Sequence, residues 1–370
     1  MIQFQTNLLD INPAYNDSII RYNSTITGMT KSEVVISGST YTVYPFNENF
    51  SFNFKDIAKV EINQTGFKDS ILPDLTLGNF IYSDSSLQTT LNGTITTIGA
   101  LTSDTTSISY KFSKNVEQLA FYNQKVQLPN DVIVLLPTQN NFDYSVAYFE
   151  GYPFDFSIRG FEIGDTFYFK NSNTGIISNS YTATTTDVKR IFLSDGATNE
   201  TITDVLPLSS NVNQVELWVN DVVKANIRVK KVESKCGVYL KWFNQNGAYS
   251  YWLFDKFYKE SIKVKDLADF QGKWDNLQNI TSTSESLGKT AVNTLQLSTS
   301  FNTNEKEYLI DLTKSPKTEM YLHQEPFFKQ NAFNFIGVKV SDDNFTIDNK
   351  MSNNKLKVTI ELPAINTIIY

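Results

Sequence analysis

A two-residue alternation of apolar and polar side chains runs along most of this sequence. Phe50, Phe52 and Phe54, for example, alternate with Ser51 and Asn53. Such spacing places the three rings on one face of a strand and the polar groups on the other. We therefore predict a mainly β protein with two or three β-sandwich or β-barrel-like domains and one or two short helices.

Turn signals and apolar runs locate individual strands. Ser37-Gly38-Ser39 and Asn92-Gly93 each separate two short strand-like runs, which predicts a hairpin at both places. The alternation continues through residues 56–63, for which we predict another strand. Residues 132–136 (VIVLL) predict a strand buried on both faces, and residues 213–232 return to clear alternation.

Two segments favour helices. In residues 262–277 the apolar side chains Leu267, Phe270 and Trp274 recur at helical spacing, although Gly272 weakens the pattern. Residues 303–313 predict the other helix, for which Asn302, Thr303 or Asn304 can be the cap, without a capping box because Lys306 follows Thr303 by three residues. Ser315-Pro316 ends the segment.

Changes in composition divide the chain into three predicted domains. Residues 1–125 form an N-terminal β-sandwich, and residues 126–230 form a middle β-rich domain that could be an insertion. Residues 231–370 form a C-terminal β-rich domain with a short helix near residues 303–313.

The composition excludes several classes of protein. Asn, Thr and Ser supply 107 of 370 residues, whereas charged residues make up 19% against about 25% on average. The 46 Phe and Tyr residues exclude a disordered chain. A net charge of −7 without a basic cluster argues against sequence-specific binding to nucleic acid. No stretch approaches the ~18 apolar residues of a membrane helix, so we expect no membrane partner.

The N-terminal residues lack the basic start and apolar core of a secretory signal. We therefore expect the chain to be made in a cytoplasm. Its single cysteine, Cys236, excludes an intramolecular disulfide framework.

The densest aromatic segment is CGVYLKWFNQNGAYSYWLFDKFY, residues 236–258, in which two apolar strands flank an Asn-Gly turn. Because both faces are large and apolar, we interpret this hairpin as a buried element or a subunit interface. The alternative is an aromatic platform for sugars or bases. The candidate aromatics are Tyr239, Trp242, Phe243, Tyr249, Trp252 and Phe254.

No segment carries a catalytic or cofactor motif. The single histidine, His323, has no nucleophile motif to serve, and Cys236 has no histidine nearby in the sequence. Asp342, Asp343 and Asp348 lack the glycine and the closing glutamate of a calcium loop. We predict no catalytic residue, no metal and no cofactor, although 39 Asp and Glu residues leave a pair of glycosidase carboxylates open.

Three segments together resemble uncharacterised virion proteins of tailed bacteriophages that infect Bacteroidota. They are INPAYNDSIIRYNS (residues 11–24) with YPFNENFSFNFKDI (44–57), CGVYLKWFNQNGAYSYWLF (236–254), and residues 305–362, which include LTKSPKTEMYL and KLKVTIELP. The resemblance covers the outer thirds of the chain and implies a tail, neck or ring component built from β-sandwich domains. It implies no active-site residues.

The residues and the resemblance together predict a non-enzymatic structural protein of a phage tail or neck. Such a ring or adaptor would be a homo-oligomer that contacts neighbouring tail or neck proteins in the virion. Asn, Thr and Ser can pair across its interfaces without the desolvation cost of buried charges. The alternative functions are a receptor- or carbohydrate-binding protein at the tail surface and a polysaccharide depolymerase.

Overall fold

The computed structural model describes residues 1–73, 80–117, 131–137, 143–194, 206, 208–209, 211–233, 236–271, 284–302, 305–322, 335–341 and 353–368. These residues are mainly in β-strands, with two short α-helices, and the strands form β-sandwich domains. The chain separates into two compact units. Unit 1 is Met1–Glu233 with Phe243–Ser250, and unit 2 is Ser234–Trp242 with Tyr251–Tyr370. The three domains predicted above stay a prediction.

The elements before residue 233 are, in chain order, β1 (Ile2–Thr6), β2 (Ile11–Pro13), β3 (Ile19–Ser24), β4 (Met29–Ile36), β5 (Ser39–Val43), β6 (Phe50–Asn53), α1 (Lys55–Ile62), β7 (Ile81–Asp84), β8 (Gln88–Gly99), β9 (Ser103–Ser113), β10 (Ile133–Val134), β11 (Asp143–Phe149), β12 (Phe154–Arg159), β13 (Thr166–Asn171), β14 (Ile176–Ile177), β15 (Tyr181–Thr182), β16 (Val188–Ser194), β17 (Val212–Val219) and β18 (Val222–Val232). A 3-10 turn covers Ser85–Leu87.

Two of the sheets in unit 1 enclose a core between them. One has the strand order β1-β3-β6 and the other β2-β9-β8-β4-β5. Tyr22 stacks on Phe50, with ring centroids 5.3 Å apart, and Phe54 meets Tyr110 edge-on at 5.1 Å. These rings lie in one buried cluster with Val34 and other apolar residues of both sheets. This face-to-face packing of two sheets is a β-sandwich.

The strand predicted for residues 56–63 is wrong, because this segment forms α1. Ala58 and Ile62, four residues apart, are buried in the core of the sandwich, whereas Val60 is exposed. Asn53 accepts a hydrogen bond from the Lys55 backbone N–H at the helix N-terminus, at 3.1 Å. Burial of one helical stripe against two sheets therefore outweighs the local alternation.

The hairpin at Ser37-Gly38 is confirmed, but the hairpin predicted at Asn92-Gly93 is wrong. Gly93 lies inside the long strand β8, directly opposite Ile36 of β4. A Cβ atom at Gly93 would overlap the Val35 carbonyl oxygen, so the glycine permits a close backbone approach rather than a turn. The chain reverses after Gly99 instead.

A second pair of sheets in unit 1 has the orders β10-β12-β16-β7 and β11-β18-β17-β13-β14. Phe156 of the first sheet meets Phe169 of the second edge-on, at 6.1 Å between ring centroids. Tyr148 and Phe154 pair across the same two sheets at 5.9 Å. All the described side chains of β12 and β16 are buried, as expected for strands covered on both faces.

The remaining elements are β19 (Val238–Phe243), β20 (Tyr249–Phe254), β21 (Phe257–Asp266), β22 (Asp269–Gln271), β23 (Ser284–Ser286), β24 (Lys289–Asn302), α2 (Lys306–Ile310), β25 (Thr318–Tyr321), β26 (Phe335–Val340) and β27 (Asn353–Glu361). A seven-stranded sheet has the order β20-β19-β25-β26-β27-β24-β21. A 3-10 turn, Asp311–Lys314, extends α2.

The two helix predictions have different outcomes. Over residues 262–271 the helix prediction is wrong, since β21 and β22 occupy this region, and residues 272–277 lie outside the described residues. Near residue 305 the helix is confirmed as α2. Asn302 accepts from the Glu305 N–H at 3.1 Å, and Glu305 accepts from the Asn302 N–H at 2.9 Å. This reciprocal pair of hydrogen bonds fixes Asn302 and Glu305 to each other immediately before α2. None of the described helices has the length and apolar character needed to cross a membrane.

Candidate interaction surface

The six aromatic residues predicted as core or interface candidates are all at most 3% exposed. In unit 2, Tyr239 stacks on Tyr251 with ring centroids 5.9 Å apart, and Trp242 meets Tyr308 edge-on at 5.5 Å. Strands β19 and β20, which carry the six residues, are buried on both faces.

The indole N–H of Trp252 and the rings of Phe243 and Tyr249, beside the hairpin turn, also contact other side chains. The Trp252 indole N–H donates to the Thr299 hydroxyl at 3.0 Å. In unit 1, Phe243 meets Tyr249 edge-on at 5.5 Å and Phe67 at 4.9 Å. A sugar that stacks on an aromatic ring needs an open ring face, which these buried residues do not offer.

Of the other candidates from the sequence, only Cys236 lies among the described residues. Cys236 is exposed. His323, Trp274 and the aspartates 342, 343 and 348 lie outside the described residues. Within the residues that the structure describes, no three His, Cys, Asp or Glu side chains are grouped as metal ligands.

A highly charged buried cluster in unit 1 surrounds Arg190 of β16, and no pattern in the sequence indicated it. The Arg190 guanidinium donates to the Asp155 carboxylate at 2.9 Å and to the Asp69 carboxylate at 2.7 and 3.1 Å. A carboxylate oxygen of Asp84 lies 3.5 Å from it. The guanidinium also lies 4.7 Å from the centre of the Tyr249 ring.

This geometry is that of a structural ion cluster. The side chains of Arg190 and Asp155 are at most 1% exposed, so each charge depends on its partner in a medium of low polarity. A carboxylate bonded to a guanidinium in this way is unsuited to exchange protons with a substrate. The three aspartates therefore connect segments that are distant in the sequence, namely residue 69, β7 and β12.

Lys114 extends the charged interior of unit 1. Its ammonium group donates to the Gly66 carbonyl and lies 4.7 Å from the centre of the Phe67 ring. Burial lowers the pKa of Lys114 to about 8, while the nearby Asp84 carboxylate acts in the opposite direction. Lys114 therefore loses its positive charge near pH 8, well below the pH at which an exposed lysine does.

A second buried cation, Arg159, donates to the Ser113 hydroxyl. Burial lowers the pKa of Arg159 to about 10, against the effect of Glu117. Burial likewise raises the pKa of the Glu117 carboxyl, against the effect of Arg159. The attraction between these two charges offsets only part of their desolvation, because both pKa shifts keep the direction that burial sets.

The surface of the first sandwich carries a group of exposed apolar side chains at one end. Met29 of β4 pairs with Gly99 of β8, and Ser32 pairs with Val43 of β5. The loops that follow β5 and β8 therefore leave the sheet near the same end. They present Tyr44, Phe46 and Leu101, which are 73%, 80% and 96% exposed. We call these three residues the loop-tip cluster.

The turn that carries Phe46 is well defined. Phe46 and Asn49 exchange two backbone hydrogen bonds of 2.8 and 3.0 Å. Between them Asn47 and Glu48 both have positive φ angles, 48° and 63°, as in a tight two-residue hairpin turn. The signal in the sequence was Pro45 followed by Phe46 and an Asn-rich turn, outside the alternation of the strands.

One pair of stacked rings on the second sandwich, a tyrosine and a tryptophan, is half-buried. Tyr168 of β13 lies opposite Trp218 of β17, with ring centroids 5.8 Å apart and ring planes 10° from parallel. The Trp218 indole N–H donates to the Glu216 carboxylate at 2.8 Å, and the Lys170 ammonium lies 5.7 Å from its ring. Aromatic and charged groups thus meet on one sheet face.

No protein-family model matches the chain, and no curated protein matches it. Similar solved structures include fibronectin(III)-like modules of CbhA from Clostridium thermocellum, at 7% identity and a TM-score of 0.20, covering 63% of this chain and 95% of that chain. A protein of unknown function from Porphyromonas gingivalis W83 is 10% identical with a TM-score of 0.16, covering 62% of this chain and 99% of that chain. Likenesses with such scores carry no argument, so the fold and the candidate surfaces rest on the residues of this chain.

Proposed function

We propose that this protein is a non-enzymatic structural component of a bacteriophage virion. In this proposal it is a tail or neck ring or adaptor protein that assembles as a homo-oligomer and contacts neighbouring tail or neck proteins. The resemblance of three segments to phage virion proteins and the mainly β fold support this assignment.

The observation that carries the proposal is the loop-tip cluster. Large apolar side chains that stay exposed at one end of a sheet are typical of surfaces that become covered in an assembly. Asn47 and Asn49 follow Phe46 on the same turn, and polar groups beside an apolar side chain are typical of the rim of an interface. The fixed turn lowers the entropy cost of binding.

Native mass spectrometry of the purified chain and mass spectrometry of purified virions test the proposal. We expect a homo-oligomer in the first and the chain itself in the second. The double variant Phe46→Asp, Leu101→Asp should weaken self-association by roughly tenfold or more, because two apolar anchors are lost. Ile163→Asp, at another exposed apolar position of unit 1, is the matched control and should assemble normally. A monomer that is absent from virions would refute the proposal.

A second candidate function is carbohydrate or receptor binding at the tail surface. The half-buried Tyr168 and Trp218, beside Lys170 and Glu216, favour it, because sugars bind to aromatic rings flanked by polar groups. A glycan array of host capsular polysaccharides tests this function, with Trp218→Ala as the variant and Trp218→Phe as its conservative control. Retention of glycans by the wild-type chain and their loss in Trp218→Ala would favour this second function over the first.

A further inference from the structure

Strand β21 is an edge strand with an unusual degree of exposure. It lies at the end of the seven-stranded sheet and pairs with β24, and no other described strand pairs with it. Every side chain described in β21 is exposed. At about 3.3 Å per residue its ten residues offer an edge of about 33 Å.

The two faces of β21 differ in chemistry. Tyr258 and Glu260 lie opposite the buried residues Leu297 and Leu295 of β24, so the even-numbered side chains of β21 lie on the face of the sheet that buries these leucines. This face carries apolar side chains in the middle of β21 and Asp266, which pairs with Lys289, at its end. On this face Ile262 is 60% exposed and Val264 is 53% exposed. The apolar face of the sheet therefore continues beyond its covered part.

The opposite face of β21 is basic. Lys259, Lys263 and Lys265 share it, and none of the three has an ion-pair partner among the described residues. Glu260, on the apolar face, accepts a hydrogen bond from Asn293 at 2.7 Å and is thereby held on its own sheet. A row of unpaired lysines is a local exception in a chain with a net charge of −7.

The backbone of β21 has hydrogen-bonding groups that point outward. The Leu267 N–H donates to the Gly288 carbonyl at 3.0 Å, in register with the ladder between β21 and β24. Hydrogen-bonded pairs alternate along an antiparallel ladder, so the odd-numbered residues of β21 bond to β24 as Leu267 does. The N–H and C=O groups of Glu260, Ile262 and Val264 therefore point away from β24, towards the open edge.

A second copy of β21 does not suit this edge. In a two-fold antiparallel pairing, residues directly opposite share one face of the sheet. Centred on Ile262, such a pairing sets Lys259 opposite Lys265, and every centre from 260 to 264 sets like charges opposite each other. Like charges directly opposite destabilise a strand pair.

We propose that β21 is a docking edge for an extended segment of a partner protein in which acidic and apolar residues alternate. Added as a further strand, such a segment bonds to the outward backbone groups. Its acidic side chains lie beside Lys259, Lys263 and Lys265, and its apolar side chains cover Ile262 and Val264. Lysines alone are a common protection of edge strands against aggregation, but that role does not account for the uncovered apolar face.

The docking edge deepens the proposed role as an assembly component. Its test uses purified full-length protein and synthetic peptides, so it can fail while the chain is still found in virions, and the reverse also holds. The probes are fluorescently labelled nine-residue peptides of alternating Glu and Val, or of alternating Lys and Val. Fluorescence anisotropy measures their binding.

We expect the Glu-Val peptide to bind at least about tenfold more tightly than the Lys-Val peptide, with weaker binding at high salt. The triple variant Lys259→Glu, Lys263→Glu, Lys265→Glu should reverse the preference, since it makes the basic face acidic. Equal binding of both peptides to the wild-type chain would overturn the proposal.

Val264→Pro removes one outward N–H without removing a hydrogen bond to β24, and proline is tolerated at such edge positions. We expect it to abolish binding of the Glu-Val peptide, whereas Val264→Thr, which keeps the N–H and the β-branched shape, should bind within a few-fold of wild type. Circular dichroism confirms that both variants are folded. Unchanged binding to folded Val264→Pro would place the peptide elsewhere and refute the docking edge.

Discussion

Strands β20 and β21 lie at opposite ends of one seven-stranded sheet, although two residues separate them in the chain. Every side chain of β20 is buried, and the Tyr251 backbone N–H donates to the Tyr308 hydroxyl of α2 at 2.7 Å. β21 has exposed side chains, and no described element covers its edge. The β20 end of the sheet is thus closed at Tyr251 by a hydrogen bond to α2, whereas no described element covers the β21 end.

The comparison shows what distinguishes a structural edge from a binding edge. A backbone N–H that is buried needs a hydrogen-bond acceptor, and α2 supplies one to β20 through Tyr308. Lysines and water can satisfy the open edge of β21 until a partner strand arrives. Four predictions, in order of decreasing effect, test whether the two edges differ as described.

The largest effect is expected for Trp252→Ala in β20. The ring is 3% exposed and its N–H is bonded to Thr299, so its loss leaves a cavity and removes the hydrogen bond between the indole and the Thr299 hydroxyl. We expect the free energy of unfolding to fall by about 3–5 kcal/mol, measured by urea denaturation. Tyr258→Ala in β21 is the matched control and should change it by about 0.5 kcal/mol or less. Equal losses would contradict the comparison.

The second prediction contrasts a buried lysine with the lysines of β21. Because burial lowers the pKa of Lys114 to about 8 from 10.5, the folded chain loses this proton before the unfolded chain does. Between these pH values the unfolded state binds more protons, so the free energy of unfolding rises with pH. We expect a gain of about 2 kcal/mol between pH 7 and 10.

Urea denaturation across this pH range measures the gain from Lys114. Lys114→Met should remove it, whereas Lys263→Met in β21 should retain it. Above pH 10 the gain should diminish, since burial raises the pKa of Tyr110 to about 12 and the unfolded state then loses protons first. The same rise with pH in Lys114→Met would contradict the assignment.

The third prediction concerns the closure of β20 by α2. Tyr308→Phe removes the hydroxyl that accepts from the Tyr251 N–H and leaves that buried group unpaired. We expect a loss of about 1–2 kcal/mol in the free energy of unfolding. Faster amide hydrogen exchange at Tyr251 would locate the effect. Tyr258→Phe, with an exposed ring, should be neutral in both measurements.

The smallest effect is expected for Val264→Thr in β21. Because Val264 is half exposed and threonine keeps the β-branched shape, the free energy of unfolding should change by about 0.5 kcal/mol or less. Leu297→Thr, at a buried position of the neighbouring strand β24, is the contrasting variant and should lose several times more. A large loss in Val264→Thr would show that its side chain is covered.

Local sequence predicted much of the strand structure. The turn at Ser37-Gly38 and the hairpin of β19 and β20 are confirmed, because Gly38 and Gly247 supply the positive φ angles that tight turns need. The prediction failed where contacts distant in the sequence decide. Gly93 faces a carbonyl of another strand, and residues 55–62 become helical because two sheets offer a groove for Ala58 and Ile62.

The candidate surfaces were harder to predict than the strands. The aromatic hairpin of β19 and β20 was interpreted as a buried element or a subunit interface, with a sugar platform as the alternative, and its rings are buried. Residues 262–266 were predicted to be helical, although Ile262 and Val264 alternate with Lys263 and Lys265 in the period of a strand. That alternation identifies an amphipathic strand but not whether its apolar face is covered.

The sequence by itself determined that this chain is mainly β. The preference for a strand depends on the two-residue alternation and on β-branched or aromatic side chains, and both are properties of neighbouring residues in the sequence. Tertiary structure alone decided which apolar faces are covered, which sheet edge is closed by α2, and how Arg190 meets three aspartates. These features depend on which distant segments pack together, since burial and ion pairing are properties of neighbours in space.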